Sequence, residues 1–169
     1  MCGIVGMWTR QDGDLRLSDS LASIAHRGPD GRGQYRDERN GVVLGNVRLA
    51  IIDLSPAGAQ PMTSDDGRVV LVFNGEIYNF RELRAELEAR GVAFRGHSDT
   101  EVLLRLYLAD GLAMLPRLNG IFAFAIYDSR SGELVLARDA LGVKPLYFCE
   151  SVAGLAFASE IKADRKSVV

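Results

Sequence analysis

The chain has 169 residues, of which 47% are apolar and 25% charged, and its formal net charge is −2. A chain of this length can bury a sizeable core, and its composition is that of an ordinary globular protein. Nucleic acid and anionic membranes are excluded as expected partners, because both require a clustered basic face. No apolar run is long enough to span a bilayer, and no basic and apolar leader opens the chain. Since Cys2 and Cys149 are the only cysteines, a disulfide scaffold is excluded and we expect a cytoplasmic protein.

Apolar periodicity and turn residues predict strands towards both ends of the chain and two helices in its middle. The predicted strands cover 4–8, 42–54 (interrupted near Asn46), 69–73, 122–127, 134–137, 146–148 and 155–158, with a first helix over 17–25. The two central helices begin at pairs with capping-box spacing and end at glycines: Asn79 with Glu82 to Gly91, and Ser98 with Glu101 to Gly111. Strict strand–helix alternation is missing, so the order predicts an α+β protein with antiparallel sheets and helices outside them.

The domain organisation is predicted to be simple up to the last six residues. No linker divides residues 1–163, which we interpret as one domain. Residues 164–169 have neither periodicity nor turn chemistry, and they can be encoded by DNA that matches a widely used sequencing adapter. We therefore expect that this tail is not native and that the native chain continues beyond about Ala163.

Cys2 is the strongest candidate for a catalytic residue. Removal of Met1, which the small following side chain permits, would leave a thiol and a free α-amine on one residue. An α-amine with a pKa of about 8 can take the proton of a thiol with a pKa of about 8.5, as in N-terminal nucleophiles. His26 and His97 are the alternative bases, but the neighbouring charge of Arg27 opposes protonation of His26. A small buried cysteine without catalytic function is the simpler interpretation of Cys2 alone.

Further polar residues follow predicted strands or open a predicted helix. The planar guanidinium of Arg48 suits a carboxylate, although a structural ion pair is the simpler interpretation. Asn74 and Gly75 could offer an amide and a backbone N–H to an oxyanion, although Asn-Gly is first of all a turn pattern. Glu76 and Asp99 could hold an ammonium group, and the simpler interpretation of Asp99 is compensation of the helix dipole. Together these residues predict a site for an amino acid with a reactive side-chain carbonyl.

Eight segments in matching order resemble the glutaminase domain of class II glutamine amidotransferases. They are MCGIVG at 1–6, HRGPDG at 26–31, RLAIID at 48–53, GAQPM at 58–62, FNGEIYN at 73–79, SDTE at 98–101, NGIFAF at 119–124 and ARDALGVKPLY at 137–147. Within that family, the chain is most similar to glutamine-hydrolysing asparagine synthetases of the bacterial type. Eight motifs in order are far more specific than any one of them.

The resemblance implies an N-terminal-nucleophile hydrolase fold, which is a four-layer αββα sandwich of antiparallel sheets. It also implies that Cys2 is the nucleophile after loss of Met1, and that Asn74 and Gly75 form the oxyanion hole. The residues that it implies for binding glutamine are Arg48, Leu49, Ile51, Asn74, Gly75, Glu76 and Asp99, with Leu49 and Ile51 acting through their backbone.

The same resemblance implies roles for the segments around this site. Residues 27–31 are expected in a loop near the pocket, and 138–147 are expected to be architectural, bordering a partner domain. Val47 departs from the family, in which a basic or polar residue often precedes the arginine at position 48. We expect this departure to alter pocket packing and to leave the chemistry intact.

The chain is expected to hold only half of a reaction. No glycine-rich phosphate loop follows a strand, so nothing here predicts ATP binding, and no His or Cys cluster has metal-ligand spacing. The resemblance implies that a synthetase domain, absent from this chain, receives ammonia and uses ATP and Mg²⁺ to convert aspartate to asparagine. No cofactor or metal is expected in the chain itself.

Three alternatives remain. The missing domain could amidate a sugar, peptide or polysaccharide precursor, or the chain could be a non-catalytic module that binds glutamine. The third, a processing peptidase of the same fold, is disfavoured by Arg48 and Asp99, because a residue inside a peptide has no free α-carboxylate or α-amine.

Overall fold

The computed structural model describes residues 1–9 and 17–165, with only the backbone described for 164 and 165. The strands are β1 (Gly3–Thr9), β2 (Gly31–Asp37), β3 (Val42–Arg48), β4 (Met62–Thr63), β5 (Val69–Ile77), β6 (Gly120–Asp128), β7 (Glu133–Arg138), β8 (Tyr147–Ser151) and β9 (Gly154–Ala158). The α-helices are α1 (Leu17–Ser23), α2 (Phe80–Ala89), α3 (Asp99–Asp110) and α4 (Ile161–Arg165). Short 3₁₀ segments cover Ala25–Arg27, Pro56–Gly58 and Gly111–Arg117.

The strands form two antiparallel sheets. The first has five strands in the order β2-β3-β1-β9-β8, and the second has four in the order β4-β5-β6-β7. The first strand of the chain therefore lies at the centre of its sheet, paired with β3 on one side and β9 on the other. This central position fixes the backbone that immediately follows Cys2.

Three apolar clusters show how the sheets and helices are layered. Side chains of the first sheet, such as Ile4 and Leu44, meet side chains of the second sheet, such as Val72 and Tyr127, between the two sheets. The outer face of the second sheet is covered by α2 and α3, and the outer face of the first by α1 and α4. The predicted α+β class and the antiparallel sheets between helical layers are confirmed.

The strands over the predicted ranges 69–73 and 122–127 are apolar without interruption because both of their faces are covered. Strand β2 was not predicted, since its residues alternate between half-buried and exposed and include glycine and arginine. The predicted interruption of β3 near Asn46 is wrong. Asn46 is fully buried within a continuous strand, and the chain leaves the sheet after Arg48.

The sequence 74–76 does not form a turn, because β5 continues through it to Ile77 and pairs with β6 along its whole length. Gly75 lies opposite Phe122, and a Cβ at this glycine would lie 2.3 Å from the carbonyl oxygen of Ile121. The close approach that requires glycine is therefore that of the neighbouring strand.

The two predicted helix caps have different outcomes. Ser98 Oγ accepts a hydrogen bond from the Glu101 N–H at 3.1 Å, which confirms the cap of α3. Asn79 makes no capping hydrogen bond. Its side chain instead bridges the Arg117 carbonyl and the Asn119 N–H, at 2.9 and 3.0 Å.

Helix α4 continues two residues beyond the predicted domain end at Ala163. Residues 166–169 of the predicted non-native tail lie outside the described residues, so this boundary stays a prediction. Within the described part of the chain, no helix is both long and apolar enough to cross a membrane.

Candidate active site

One cleft opens where the start of β1, the end of β3, β5 and the start of α3 meet. The space that it outlines, open solvent included, is about 580 Å³. Its lining includes all eight residues that the sequence analysis assigned to the site: Cys2, Arg48, Leu49, Ile51, Asn74, Gly75, Glu76 and Asp99. The fold therefore brings together residues that are up to 97 positions apart in sequence.

The thiol of Cys2 lies against the backbone of Leu49. The Leu49 N–H donates to Cys2 Sγ at 3.3 Å, and the thiol lies 3.5 Å from the Leu49 carbonyl oxygen. Cys2 is half-buried and faces the cleft, so its sulfur can be reached by a ligand.

A second set of contacts holds the Cys2 backbone. Arg27 Nε donates to the Cys2 carbonyl at 3.0 Å, and Arg27 Nη1 forms an ion pair with Glu160 at the same distance. Burial alone would raise the pKa of Glu160, but hydrogen bonds from Lys162, Arg27 and His26 lower it to about 2. Glu160 is therefore a carboxylate at neutral pH and anchors Arg27 against the nucleophile.

The two histidines have other partners. His26 Nε2 lies 2.9 Å from Glu160 Oε1, and the backbone N–H of His97 donates to Asp53 Oδ2 at 2.9 Å. Among the residues described as lining the cleft there is no histidine. This geometry offers no support for a cysteine–histidine dyad.

Asn74 presents a buried donor without an acceptor. Asn74 is 1% exposed, and its Nδ2 makes no hydrogen bond within the described part of the chain. A buried amide donor is normally hydrogen-bonded, and leaving one unpaired costs about 1–3 kcal/mol. Because Asn74 lines the cleft, a ligand oxygen there would satisfy this donor.

The N–H of Gly75 points to the edge of β5 that lies away from β6. Alternate residues of a strand direct their N–H groups to the same edge. Phe73, two residues earlier, donates its N–H to Gln60 Oε1 at 2.6 Å rather than to β6, while the N–H of Phe122, opposite Gly75, donates to Asp139. Gly75 and Asn74 therefore offer two neighbouring donors beside the cleft.

Arg48 is held by carbonyl groups of the loop that follows it. Nη1 donates to the Ser55 carbonyl at 3.2 Å, and Nη2 donates to the Asp53 carbonyl. No carboxylate of the described residues forms an ion pair with Arg48, so its charge is not neutralised by a side chain. These contacts orient the guanidinium and leave other N–H groups for an anionic ligand.

Two carboxylates lie on the opposite wall. Asp99 is 5% exposed and accepts a hydrogen bond from the Ile77 N–H at 3.1 Å. Burial, with a contribution from the nearby charge of Glu76, raises the pKa of Asp99 to about 6, although backbone hydrogen bonds oppose this shift. A buried carboxylate beside a half-buried one of the same charge is suited to a cationic ligand, which would offset both the burial of Asp99 and the repulsion between the two groups.

Asp53, Gln60 and Lys144 are among the cleft residues that were not assigned from sequence. Asp53 accepts hydrogen bonds from the backbone N–H groups of His97 and Ser55, which with other contacts lower its pKa to about 2 and tie the 49–55 loop to the start of α3. Gln60 holds Phe73, as described above. Lys144 lines the cleft although its segment was interpreted as architectural. All three lie in motifs of the resemblance, but no spacing rule connects them with Cys2.

Within the described residues, no group of acidic, histidine and cysteine side chains could hold a metal ion. The groups of this cleft assigned from sequence are a thiol, two amide or backbone donors, one guanidinium and two carboxylates. These groups match an amino acid zwitterion at one end of the cleft and a polarised carbonyl at the other.

Comparisons with known proteins give the family. The model of the glutamine amidotransferase domain family matches residues 1–168. Asparagine synthetase [glutamine-hydrolyzing] 1 of Bacillus subtilis is 41% identical over 96% of this chain and 26% of its own length. Asparagine synthetase B of Escherichia coli is 40% identical over 96% of this chain and 30% of its own length, and Amidase chry2 of Gibberella zeae is 40% identical over 96% and 26%.

Among solved structures, glutamine phosphoribosylpyrophosphate amidotransferase from B. subtilis superposes with a TM-score of 0.81 at 25% identity, covering 97% of this chain and 43% of that chain. The chain thus spans less than a third of the length of the curated relatives named above, and it corresponds to their amidotransferase portion. On these grounds, the chain belongs to the family of glutamine amidotransferase domains.

Proposed function

We propose that this chain hydrolyses the side-chain amide of glutamine, with Cys2 as the nucleophile, and that it does so to supply ammonia. The observation that carries the proposal is the buried, unpaired Nδ2 of Asn74 in the same cleft as the thiol of Cys2. A donor fixed in place before substrate arrives is what a developing oxyanion requires. Membership of the glutamine amidotransferase family supports glutamine as the substrate.

The substrate's α-groups have complementary partners in this cleft. The α-carboxylate would pair with Arg48, whose orientation is fixed by the Asp53 and Ser55 carbonyls. The α-ammonium would lie between Glu76 and Asp99, where it would remove the repulsion between the two carboxylates. These charged groups would hold the α-carbon end of glutamine and direct its side-chain amide towards Cys2.

The reaction would proceed through an acyl-enzyme. After loss of Met1, the thiol proton of Cys2 passes to its own α-amine, and the thiolate attacks the amide carbon of glutamine. Asn74 Nδ2 and the Gly75 N–H hold the oxygen of the tetrahedral intermediate. The α-amine returns the proton to the leaving nitrogen, which departs as ammonia, and water then cleaves the thioester to give glutamate and the free thiol.

For the longer protein, we propose the amidation of aspartate to asparagine. Support comes from the asparagine synthetases of B. subtilis and E. coli, whose amidotransferase portions are about 40% identical to this chain. The synthetase portion would receive the ammonia and would bind the ATP and Mg²⁺ that this reaction needs. A different acceptor is the second candidate, because Amidase chry2 is similar to the same extent. The coding sequence beyond position 163 distinguishes the two.

The test of glutamine hydrolysis is glutamate release by the purified chain, with loss of Met1 verified by intact mass. We expect Cys2→Ala to abolish release and Cys149→Ser, the matched control, to leave it intact. A chain prepared with Met1 retained should also be inactive, because its Cys2 nitrogen is acylated. Release at the wild-type rate from Cys2→Ala would refute the mechanism, and binding of glutamine without any release would favour a non-catalytic module.

A further inference from the structure

Lys144 is a buried cation without an anionic partner. The residue is 7% exposed, lies in the wall of the cleft, and forms no ion pair with a carboxylate among the described residues. Its ammonium lies 2.9 Å from Sδ of Met1, and among the described residues no other side chain forms a hydrogen bond with Nζ. A buried ammonium is costly unless it interacts with another polar group, so this placement requires an explanation.

The position of Lys144 is fixed by Asp139. The Asp139 carboxylate accepts the backbone N–H of Lys144 at 3.0 Å, that of Val143 at 2.8 Å and that of Phe122 at 3.2 Å. Burial would raise the pKa of Asp139, but these backbone hydrogen bonds lower it. The charge of Asp139 is thus stabilised by backbone N–H groups. These hydrogen bonds fix the turn that places Lys144 in the wall of the cleft.

From this geometry, and resting on the proposed function, we propose that Lys144 is a positioning residue whose charge keeps the thiol and α-amine of processed Cys2 in their reactive state. Lys144, Met1 and Cys2 line the same cleft, and Met1 is bonded through its carbonyl carbon to the nitrogen that becomes the α-amine. Removal of Met1 therefore takes away this hydrogen bond of Nζ and leaves its charge in the wall of the cleft that the new terminus also lines.

The sign of the effect does not depend on which group holds the proton. The fully protonated pair, a thiol and an ammonium, has a charge of +1, whereas both forms with one proton fewer are neutral overall. A fixed positive charge nearby favours loss of that proton, because it destabilises the charged state more than either neutral form. Lys144 would therefore extend the reactive state of Cys2 to lower pH.

Other charged groups around Cys2 do not duplicate this role. The Arg27 guanidinium, behind the Cys2 carbonyl, is already paired with Glu160, which also contacts His26 and Lys162. Across the cleft, the carboxylates of Glu76 and Asp99 act in the opposite direction. Arg48 is held by its own loop, and Asp53 is bound by backbone N–H groups. Unlike Arg27 and Arg48, Lys144 has neither an ion pair nor a carbonyl partner among the described residues.

The test is the pH dependence of Cys2 alkylation by iodoacetamide, measured without glutamine in a Cys149→Ser background from which Met1 has been removed. We expect Lys144→Met to move the midpoint upward by about half to one pH unit. Lys144→Arg, the matched control, should keep the midpoint of the parent protein. An unmoved midpoint in Lys144→Met, or an equal shift in Lys144→Arg, would overturn the inference.

A comparison without any Lys144 variant guards against a substitution that prevents folding. The free peptide of residues 2–7 has the same thiol and α-amine but no Lys144, so its alkylation midpoint should lie above that of the folded parent. A folded midpoint equal to or above that of the peptide would refute the inference. Because alkylation needs no turnover, a chain that shows the shift but releases no glutamate would contradict only the proposed function.

Discussion

Replacing Asp99 with asparagine should stabilise the folded protein while destroying its site. Burial, with the charge of Glu76, raises the pKa of Asp99 from its ordinary value of 3.8 to about 6. Each pKa unit corresponds to about 1.4 kcal/mol, so ionised Asp99 costs about 3 kcal/mol of folding free energy above pH 7. Asparagine has no charge to bury, and its side-chain oxygen can still accept the Ile77 N–H.

The pH dependence gives this prediction its sign. A carboxyl group with a raised pKa in the folded state binds a proton more readily there than in the unfolded chain. The free energy of unfolding of the wild type therefore falls as pH rises from about 4 through about 6, because folded Asp99 loses its proton. The Asp99→Asn variant has no such proton to lose. The advantage of the variant should be small near pH 4 and should reach about 3 kcal/mol at neutral pH.

Urea unfolding of both proteins at a series of pH values measures this difference. Asp139→Asn is the matched control, since Asp139 is similarly buried at 6% exposure but has a lowered pKa. The control should therefore be less stable than wild type, with the deficit growing as pH rises from acid to neutral. If Asp99→Asn is no more stable than wild type at neutral pH, the claim that ionised Asp99 destabilises the fold is refuted. A difference in unfolding free energy that does not change with pH would refute it as well.

Further predictions concern the site and the helix that carries it. Asn74→Ala should slow glutamate release by about 10²–10³-fold, with a smaller change in KM, because the lost hydrogen bond forms chiefly in the transition state; steady-state kinetics measures both. The KM for glutamine should rise as pH falls below about 6, where Asp99 takes up a proton, and a flat KM over that range would argue against an ammonium contact. Ser98→Ala should cost about 1 kcal/mol in urea unfolding, because the Glu101 N–H loses its cap; an unchanged midpoint would contradict the cap.

Much of the candidate site could be predicted from sequence because its chemistry is local. The thiol and the potential base of Cys2 belong to one residue, and the pair of donors at Asn74 and Gly75 belongs to consecutive ones. The start of α3 likewise follows from the Ser98 cap, which requires only that Glu101 lies three residues later. The structure adds that these short segments converge on one cleft.

Features that depend on distant strands could not be predicted in the same way. The Asn74-Gly75 dipeptide favours a turn in isolation, yet pairing with β6 keeps the strand extended through it. Position 75 must be glycine because a Cβ there would clash with the carbonyl oxygen of Ile121. That neighbour cannot be identified until the order of the strands is known. The place of Lys144 beside Met1 similarly depends on contacts between opposite ends of the chain.

The most direct test of the central claim is to trap the acyl group. Processed protein is mixed with glutamine, quenched in acid during turnover, and its peptides are analysed by mass spectrometry. We predict a γ-glutamyl thioester on Cys2, its transfer to hydroxylamine when that nucleophile is added before quenching, and no adduct in Asn74→Ala at early times. Glutamate release without any adduct on Cys2, or with the adduct on Cys149, would contradict the claim that Cys2 attacks glutamine.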